Sequence, residues 1–186
     1  KIADALVRLL APILAFTPEE IWKHLPKQAG SPDSVHIAMF PNDAELATNL
    51  DAAASESWKT LAAVRVEVLK ALEAARAAKA IAGALEARVE LFAEGALRGV
   101  LEKYGDWLPA LFIVSQVSLV SQAAADATRS ESIAGLAVAV RRADGSKCER
   151  CWNYSTHVGE STAFPTVCER CLPVVESLLG GAAAAS

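Results

Sequence analysis

The chain has 186 residues, 53% of them apolar and 22% charged, with a formal net charge of −4 at neutral pH. That length buries a core of its own and suits one domain or two small ones; no apolar run of about 18 residues lacks a charge, and Lys1 to Leu10 do not read as a signal peptide, so no membrane span is expected in these residues and a cytoplasmic location is the expectation. The acidic balance also excludes a protein that holds nucleic acid by the field of the whole chain, so any such contact requires a local basic surface.

The chain starts at Lys1, without a methionine, in what reads as a running helix, as an excised fragment would. Ile2, Leu6, Leu9, Leu10 and Ile13 recur at helical spacing. Thr17-Pro18-Glu19-Glu20 then predicts a second helix, with Thr17 as cap, Pro18 in the first helical position and Glu20 closing a capping box. Pro26 stops it, Lys27 to Pro32 form a loop, Val35 to Phe40 read as a short extended piece, and Pro41 to Asn49 read as a linker.

From Glu56 to Ile81 the spacing of Trp58, Leu61, Val64, Val68, Leu72 and Ala75 predicts the longest helix. Lys70, Arg76 and Lys79 are candidates to face RNA, yet Glu67 and Glu73 precede Lys70 and Arg76 by three residues, the spacing of ordinary surface pairs. Beyond Gly83 the period falls to two, with Leu85, Ala87, Val89 and Leu91 on one side of a strand. A short helix near Gly95 to Tyr104 follows, then two strand-like runs, Leu111 to Val120 and Leu136 to Arg142, separated by the polar, alanine-rich stretch Gln122 to Glu131. A small sheet flanked by helices is the economical reading. The Gly180-Gly181 tail and its alanines carry too little side-chain mass to pack and are expected to be disordered.

All four cysteines fall in one stretch, Cys148-x2-Cys151, sixteen residues, then Cys168-x2-Cys171. Two cysteines two residues apart sit on one tight knuckle with both sulfurs aimed at one point, and two knuckles complete the tetrahedron that zinc prefers. Four protein ligands leave no place for a reactive water, so the expected ion is structural. Disulfides and redox dithiols are the competing readings; a cytoplasmic chain disfavours the first and a matched second pair disfavours the other. His157 lies between the knuckles and is expected to be a loop residue. Arg141, Arg142, Lys147, Arg150 and Arg170 outnumber the acids around the cysteines, and they serve either to balance thiolate charge or to meet a partner. Trp152 and Tyr154 either pack the module's core or offer a stacking face, with core the favoured reading for Tyr154.

Four phrases resemble a known family, the isoleucine-tRNA ligases. Ala11-Pro-Ile-Leu-Ala-Phe-Thr-Pro-Glu-Glu-Ile-Trp22 with Ser34-Val-His36 resembles the end of the anticodon-binding helical bundle in class I synthetases of the isoleucine, valine and leucine group. Arg65 to Glu73, with Ala75-Arg76, Lys79-Ala-Ile81 and Leu85-Glu-Ala87, is similar to the bacterial isoleucine enzyme, as is Leu111-Phe-Ile-Val-Ser-Gln116. Lys147-Cys-Glu-Arg-Cys-Trp152 with Cys168-Glu-Arg-Cys171 resembles that enzyme's terminal zinc module. Ile81-Ala82-Gly83-Ala84 departs from the family's usual Ile-Gly followed by small residues.

The resemblance implies an α+β chain in four parts. These are the end of an anticodon-binding helical bundle (1–48), a small mixed helix and sheet domain (49–142), a zinc-finger module (143–180) and a tail (181–186). It implies one structural zinc on Cys148, Cys151, Cys168 and Cys171, and contact of Arg150 and Trp152 with the anticodon stem-loop of tRNA(Ile). It also implies catalytic and editing domains elsewhere in the same chain that bind ATP and magnesium, so the fragment alone is expected to be non-catalytic and to bind neither DNA nor membrane. The competing functions are the zinc-finger region of a formamidopyrimidine-type DNA-repair glycosylase and a free-standing zinc ribbon that binds RNA or protein. The strand-rich middle and the Ile-Trp phrase ending at Trp22 count against the first, and the helix already running at Lys1 counts against the second.

Overall fold

The computed structural model describes residues 1–27, 30–47 and 51–183, the last five of these by backbone alone. The chain divides into two compact units, residues 1–51 and 52 onward.

In the first unit, helices α1 (Ile2–Leu10) and α2 (Phe16–His24) precede a 3-10 turn at Val35–Ile37 and the short helix α3 (Asp43–Leu46). Val7, Ala11, Trp22 and Val35 form its small core, with Leu25 and Ala38 packed against it. The apolar series predicted for α1 faces outward instead: Ile2 is 79% exposed and Ile13 77%. Periodicity identifies a face but not the side on which its partner lies, and here the narrow stripe of Ala5 and Val7 is the buried one.

Helix α2 begins at Phe16, with Ala15 already in helical geometry and no side-chain cap. Thr17 is therefore inside the helix, and Pro18 is tolerated because the first-turn amides have no partner within the helix. Glu19, not Glu20, makes the stabilising contact: its Oε2 accepts from the Ser34 hydroxyl at 2.8 Å and from the Val35 N–H at 3.0 Å. The stretch from Val35 is a 3-10 turn where an extended piece is predicted, because the Ser34 hydroxyl caps it by accepting from the His36 N–H. The predicted linker holds α3, capped by Asn42, which accepts from the Glu45 N–H at 3.0 Å while its own amide donates to the Glu45 carboxylate. Residues 28 and 29 of the predicted loop, 48 and 49 of the predicted linker, and 50 lie outside the described residues.

The second unit is built on α4 (Ala52–Ala77) and a four-stranded sheet of order β2-β1-β4-β3, with β1 (Ala87–Phe92), β2 (Gln116–Val120), β3 (Thr128–Arg129) and β4 (Ala137–Arg142). Leu61, Val64, Val68 and Leu72 of α4 are buried in one core with Val89, Leu91, Leu101, Leu108, Phe112 and Val138. Trp58, predicted on the same face, stays 43% exposed and packs on Tyr104 with ring centroids 5.7 Å apart. The surface pairs form as read, Glu67 with Lys70 and Glu73 with Arg76, both at 2.7 Å. Strand β1 alternates as predicted, with Ala87, Val89 and Leu91 inside. It lies parallel to β2 and antiparallel to β4. On its other side, Arg88 pairs with Glu90 and Asp144, and Arg141 of β4 pairs with Asp126 and Glu90.

The parallel crossover from β1 to β2 runs through α5 (Gly95–Lys103) and α6 (Leu108–Phe112). Here the strand predicted from Leu111 is corrected: Pro109 sits in the first turn of α6, which buries Leu108 and Phe112 one turn apart, and β2 starts only at Gln116. Ile113 ends α6 in the left-handed region, φ 60° and ψ 49°. Glycine or asparagine is the usual occupant of such a position, and a β-branched residue there costs about 1 to 2 kcal/mol. The alanine-rich stretch between the predicted strands contributes β3.

The last elements are a two-stranded hairpin, β5 (Ser146–Lys147) with β6 (Tyr154–Ser155), and helix α7 (Leu172–Ala183). Residues 181–183 of the predicted disordered tail continue α7, as alanine's high helix propensity favours, while 184–186 lie outside the described residues. Among the described residues no helix is long and apolar enough to cross a membrane.

Candidate metal centre

The hairpin sets the first knuckle. Gly145, at φ 84°, turns the chain into β5 so close to β6 that a Cβ there would lie 2.2 Å from the Ser155 carbonyl oxygen. The Cys148 N–H donates to the Asn153 carbonyl at 2.9 Å and the Trp152 N–H to the Cys148 carbonyl at 2.8 Å, which folds Cys148 and Cys151 into one tight loop. Trp152 completes that loop in the left-handed region, φ 66°. In the second knuckle the Cys171 and Leu172 N–H groups both donate to the Cys168 carbonyl, at 2.9 and 3.0 Å, and α7 begins there. The Glu149 N–H donates to the Thr166 carbonyl at 3.0 Å and the Cys168 N–H to the Cys148 Sγ at 3.3 Å, joining the two knuckles.

All four Sγ atoms lie within 4.8 Å of one another, with Cys151 and Cys168 at 3.7 Å. Zinc–sulfur bonds of about 2.3 Å in a tetrahedron put sulfurs roughly 3.8 Å apart, so the cluster has the size of a Zn(Cys)4 site. Cys148, Cys168 and Cys171 are buried and Cys151 is half-buried. The thiols do not titrate alike. Burial works to raise the Cys148 pKa, but the N–H groups of Cys151, Cys168 and Arg150 together bring it down to about 6. Burial pushes Cys168 up to about 12, with Cys151 and Cys148 also holding its proton in place. Sulfurs that cannot all carry charge together are what a divalent cation relieves.

Two arginines complete the charge balance. Arg150, on the first knuckle, donates from Nη1 to Cys171 Sγ at 3.5 Å. Arg170, on the second, bonds Cys151, which raises its pKa further together with the charges of the other thiolates. A zinc with four thiolates carries a formal charge of about −2, and one arginine on each side offsets it.

The ring of Trp152 is 60% exposed with the Lys147 ammonium 5.5 Å from its centroid, whereas Tyr154 is half-buried. His157 stands apart from the sulfurs, its Nδ1 2.9 Å from the Glu160 carboxylate. Two residues without a predicted role anchor the module. The Ser115 hydroxyl donates to the Leu85 carbonyl at 2.5 Å and accepts the Tyr154 N–H at 2.7 Å. The Gln116 side chain brackets the backbone of Asp144, accepting its N–H at 2.9 Å and donating to its carbonyl at 3.1 Å. Both residues belong to the phrase ending at Gln116, but no local pattern marks a contact made across 39 or 28 residues of chain.

Residues 1–91 match a family model described as the anticodon-binding domain of tRNA ligase, and residues 145–174 match one described as a zinc finger found in FPG and IleRS. The chain is 46% identical over 177 residues to an isoleucine-tRNA ligase of Syntrophotalea carbinolica, covering 94% of this chain and 18% of that protein. It is 42% identical to the isoleucine-tRNA ligases of Geobacter sulfurreducens and Desulforudis audaxviator, over 94% and 95% of this chain and 18% and 19% of theirs. It thus spans under a fifth of the length of these relatives. The zinc-finger model spans two enzyme classes, but the anticodon-binding match and the relatives select one. The chain carries a structural zinc site of four cysteines and is, over nearly all its length, a homologue of one segment of the isoleucine-tRNA ligases.

Proposed function

We propose that this chain is the carboxy-terminal, tRNA-binding region of a cytoplasmic isoleucine-tRNA ligase, an enzyme that joins isoleucine to tRNA(Ile) with ATP and magnesium bound by its catalytic domain. In this reading zinc is held by Cys148, Cys151, Cys168 and Cys171, and Arg150 and Trp152 meet the anticodon stem-loop. Residues 143–180 act as the zinc-finger module, residues 49–142 as its platform and residues 1–48 as the end of the helical bundle. ATP chemistry and editing belong to other domains, so these residues bind RNA and catalyse nothing by themselves.

The observation that carries the proposal is the exposed ring of Trp152, fixed beside Cys151 on a knuckle held by backbone hydrogen bonds. A side chain on a rigid loop loses little further entropy when a partner docks. Unpaired loop bases are recognised by stacking on aromatic rings and by hydrogen bonds to their edges. The exposure of Trp152 favours the stacking role over a place in the module's core. Arg150 spends one nitrogen on Cys171 and retains further donors for RNA.

The test is binding of the tRNA(Ile) anticodon stem-loop to the zinc-loaded chain. Trp152→Ala should weaken it by roughly 5- to 150-fold, from about 1 to 3 kcal/mol per stacked base, with zinc content and Tm unchanged. Unaltered binding removes Trp152 from the interface. A matching fall in Tm or zinc content returns it to the core.

A further inference from the structure

A cleft of about 270 Å³ lies between the α6–β2 turn and the first knuckle. Pro109, Ile113 and Val114 make one side of it, and Cys151, Asn153 and Arg170 the other. Ile113 is held in the left-handed backbone region described above, yet its side chain is 57% exposed. Packing in the unit therefore does not offset the strain. Bulky residues in such conformations concentrate where a side chain meets a ligand. Trp152, the other exposed apolar residue in that region, sits between Cys151 and Asn153.

The chemistry of the two sides selects the occupant. The apolar side suits the face of a ring. On the other, the Asn153 amide offers a donor and an acceptor and the Arg170 guanidinium a planar set of donors, which together suit the edge of a base. A phosphate fits poorly, because Cys151 brings the negative sulfur cluster to the cleft and Arg170 is already bonded to it. The occupant is thus neutral, flat and rich in hydrogen-bonding groups.

We infer that this cleft receives one unpaired nucleobase of the bound tRNA, with Ile113 packed on its face and Asn153 and Arg170 at its edge. The inference rests on the tRNA-binding reading above and adds a second base position to the one assigned to Trp152.

The experiment uses the zinc-loaded chain and anticodon stem-loops of tRNA(Ile), intact or with one base at a time removed to leave an abasic sugar. Ile113→Asn, which relaxes the backbone, should raise Tm by about 2 to 4 °C while weakening binding by about fivefold. A merely structural residue would not move those two readouts in opposite directions. Asn153→Ala should weaken binding to a similar extent, and one abasic position should abolish both effects. Unchanged binding by both variants, while Trp152→Ala still weakens it, overturns the cleft and leaves the tRNA reading standing. Loss of binding that parallels a fall in Tm and zinc content, or that persists at every abasic position, also overturns it. Failure of the unaltered chain to bind any stem-loop overturns both readings together.

Discussion

Ser115 and Tyr154, 39 residues apart, are joined by one hydrogen bond of 2.7 Å from the Tyr154 N–H to the Ser115 hydroxyl. The same hydroxyl donates to the Leu85 carbonyl, so a single side chain ties strand β6 to the turn before β1. Ser115→Ala leaves both backbone groups without this partner. It is expected to destabilise the zinc-loaded chain by about 1 to 3 kcal/mol, the cost of unpaired part-buried polar groups. Chemical denaturation followed by Trp fluorescence measures it, and a cost below about 0.5 kcal/mol would show that water replaces the hydroxyl.

Gly145 is the position where the hairpin tolerates no side chain. Gly145→Ala combines positive φ with a Cβ at 2.2 Å from a backbone carbonyl, so a loss of roughly 2 to 4 kcal/mol and a weaker zinc affinity are expected. Gly159→Ala is the control, since φ there is also positive, 104°, but nothing lies within 4 Å of the new Cβ. It should cost only about 1 kcal/mol. Equal losses in the two variants would mean that backbone strain and not the close approach decides the effect.

Removing the metal should unfold the knuckles and leave the sheet intact. Among the described residues the buried cluster of the zinc module is Cys148, Cys168 and Cys171, with Cys151, Val158 and Val167 only partly buried against it. The core of α4 and the sheet contains no cysteine and has no need of zinc. Hydrogen exchange after chelation should show lost protection in residues 143–180 while amides of β1 and α4 stay protected. Retained protection of the Cys148 and Cys168 amides in metal-free protein would contradict this.

Acid should loosen the first unit through Glu19. Its carboxyl is held below the usual range chiefly by the Ser34 hydroxyl and also by the Val35 N–H. A folded-state pKa below the unfolded one gives stability that is fully present above the unfolded value, near 4.5, and is lost as pH falls through the folded value. Stability of the unit between pH 6 and pH 3 should therefore decline less steeply in Glu19→Gln than in the parent chain. Parallel pH profiles would assign the acid sensitivity to Glu45, whose carboxyl is lowered chiefly by Arg8.

What could be read from the sequence was local. Two cysteines separated by two residues can hardly avoid one knuckle, so each half of the sulfur cluster follows from spacing alone, and the alternation of Ala87, Val89 and Leu91 assigns the inward side of β1. The Asn42-x-x-Glu45 box is equally local, but the helix it caps has only four residues, too few to show a periodicity of its own. Contacts between distant segments carried no such signal. The outward face of α1 needs knowledge of what lies beside it, and helix α6 hides in an apolar run whose strand-like composition is overridden by Pro109 and the burial of Phe112. Ser115 is an ordinary serine until β6 arrives beside it.

Two arginines cross over the four sulfurs. The phrase Cys-Glu-Arg-Cys occurs twice, at 148–151 and 168–171, and each arginine reaches the final cysteine of the opposite copy. The sulfur cage is accordingly a near-dyad: exchange of the two halves swaps Arg150 with Arg170 and Cys151 with Cys171. The equivalence is approximate within the cage, where the Cys168 N–H donates to Cys148 Sγ, and it ends at the next residue. After the second copy the chain winds into α7 at Leu172, whereas after the first it reverses at Trp152 and leaves the indole outside. A pseudosymmetric inner cage thus presents a handed outer surface, and a partner that docks on the indole meets one half of the duplication and not its twin.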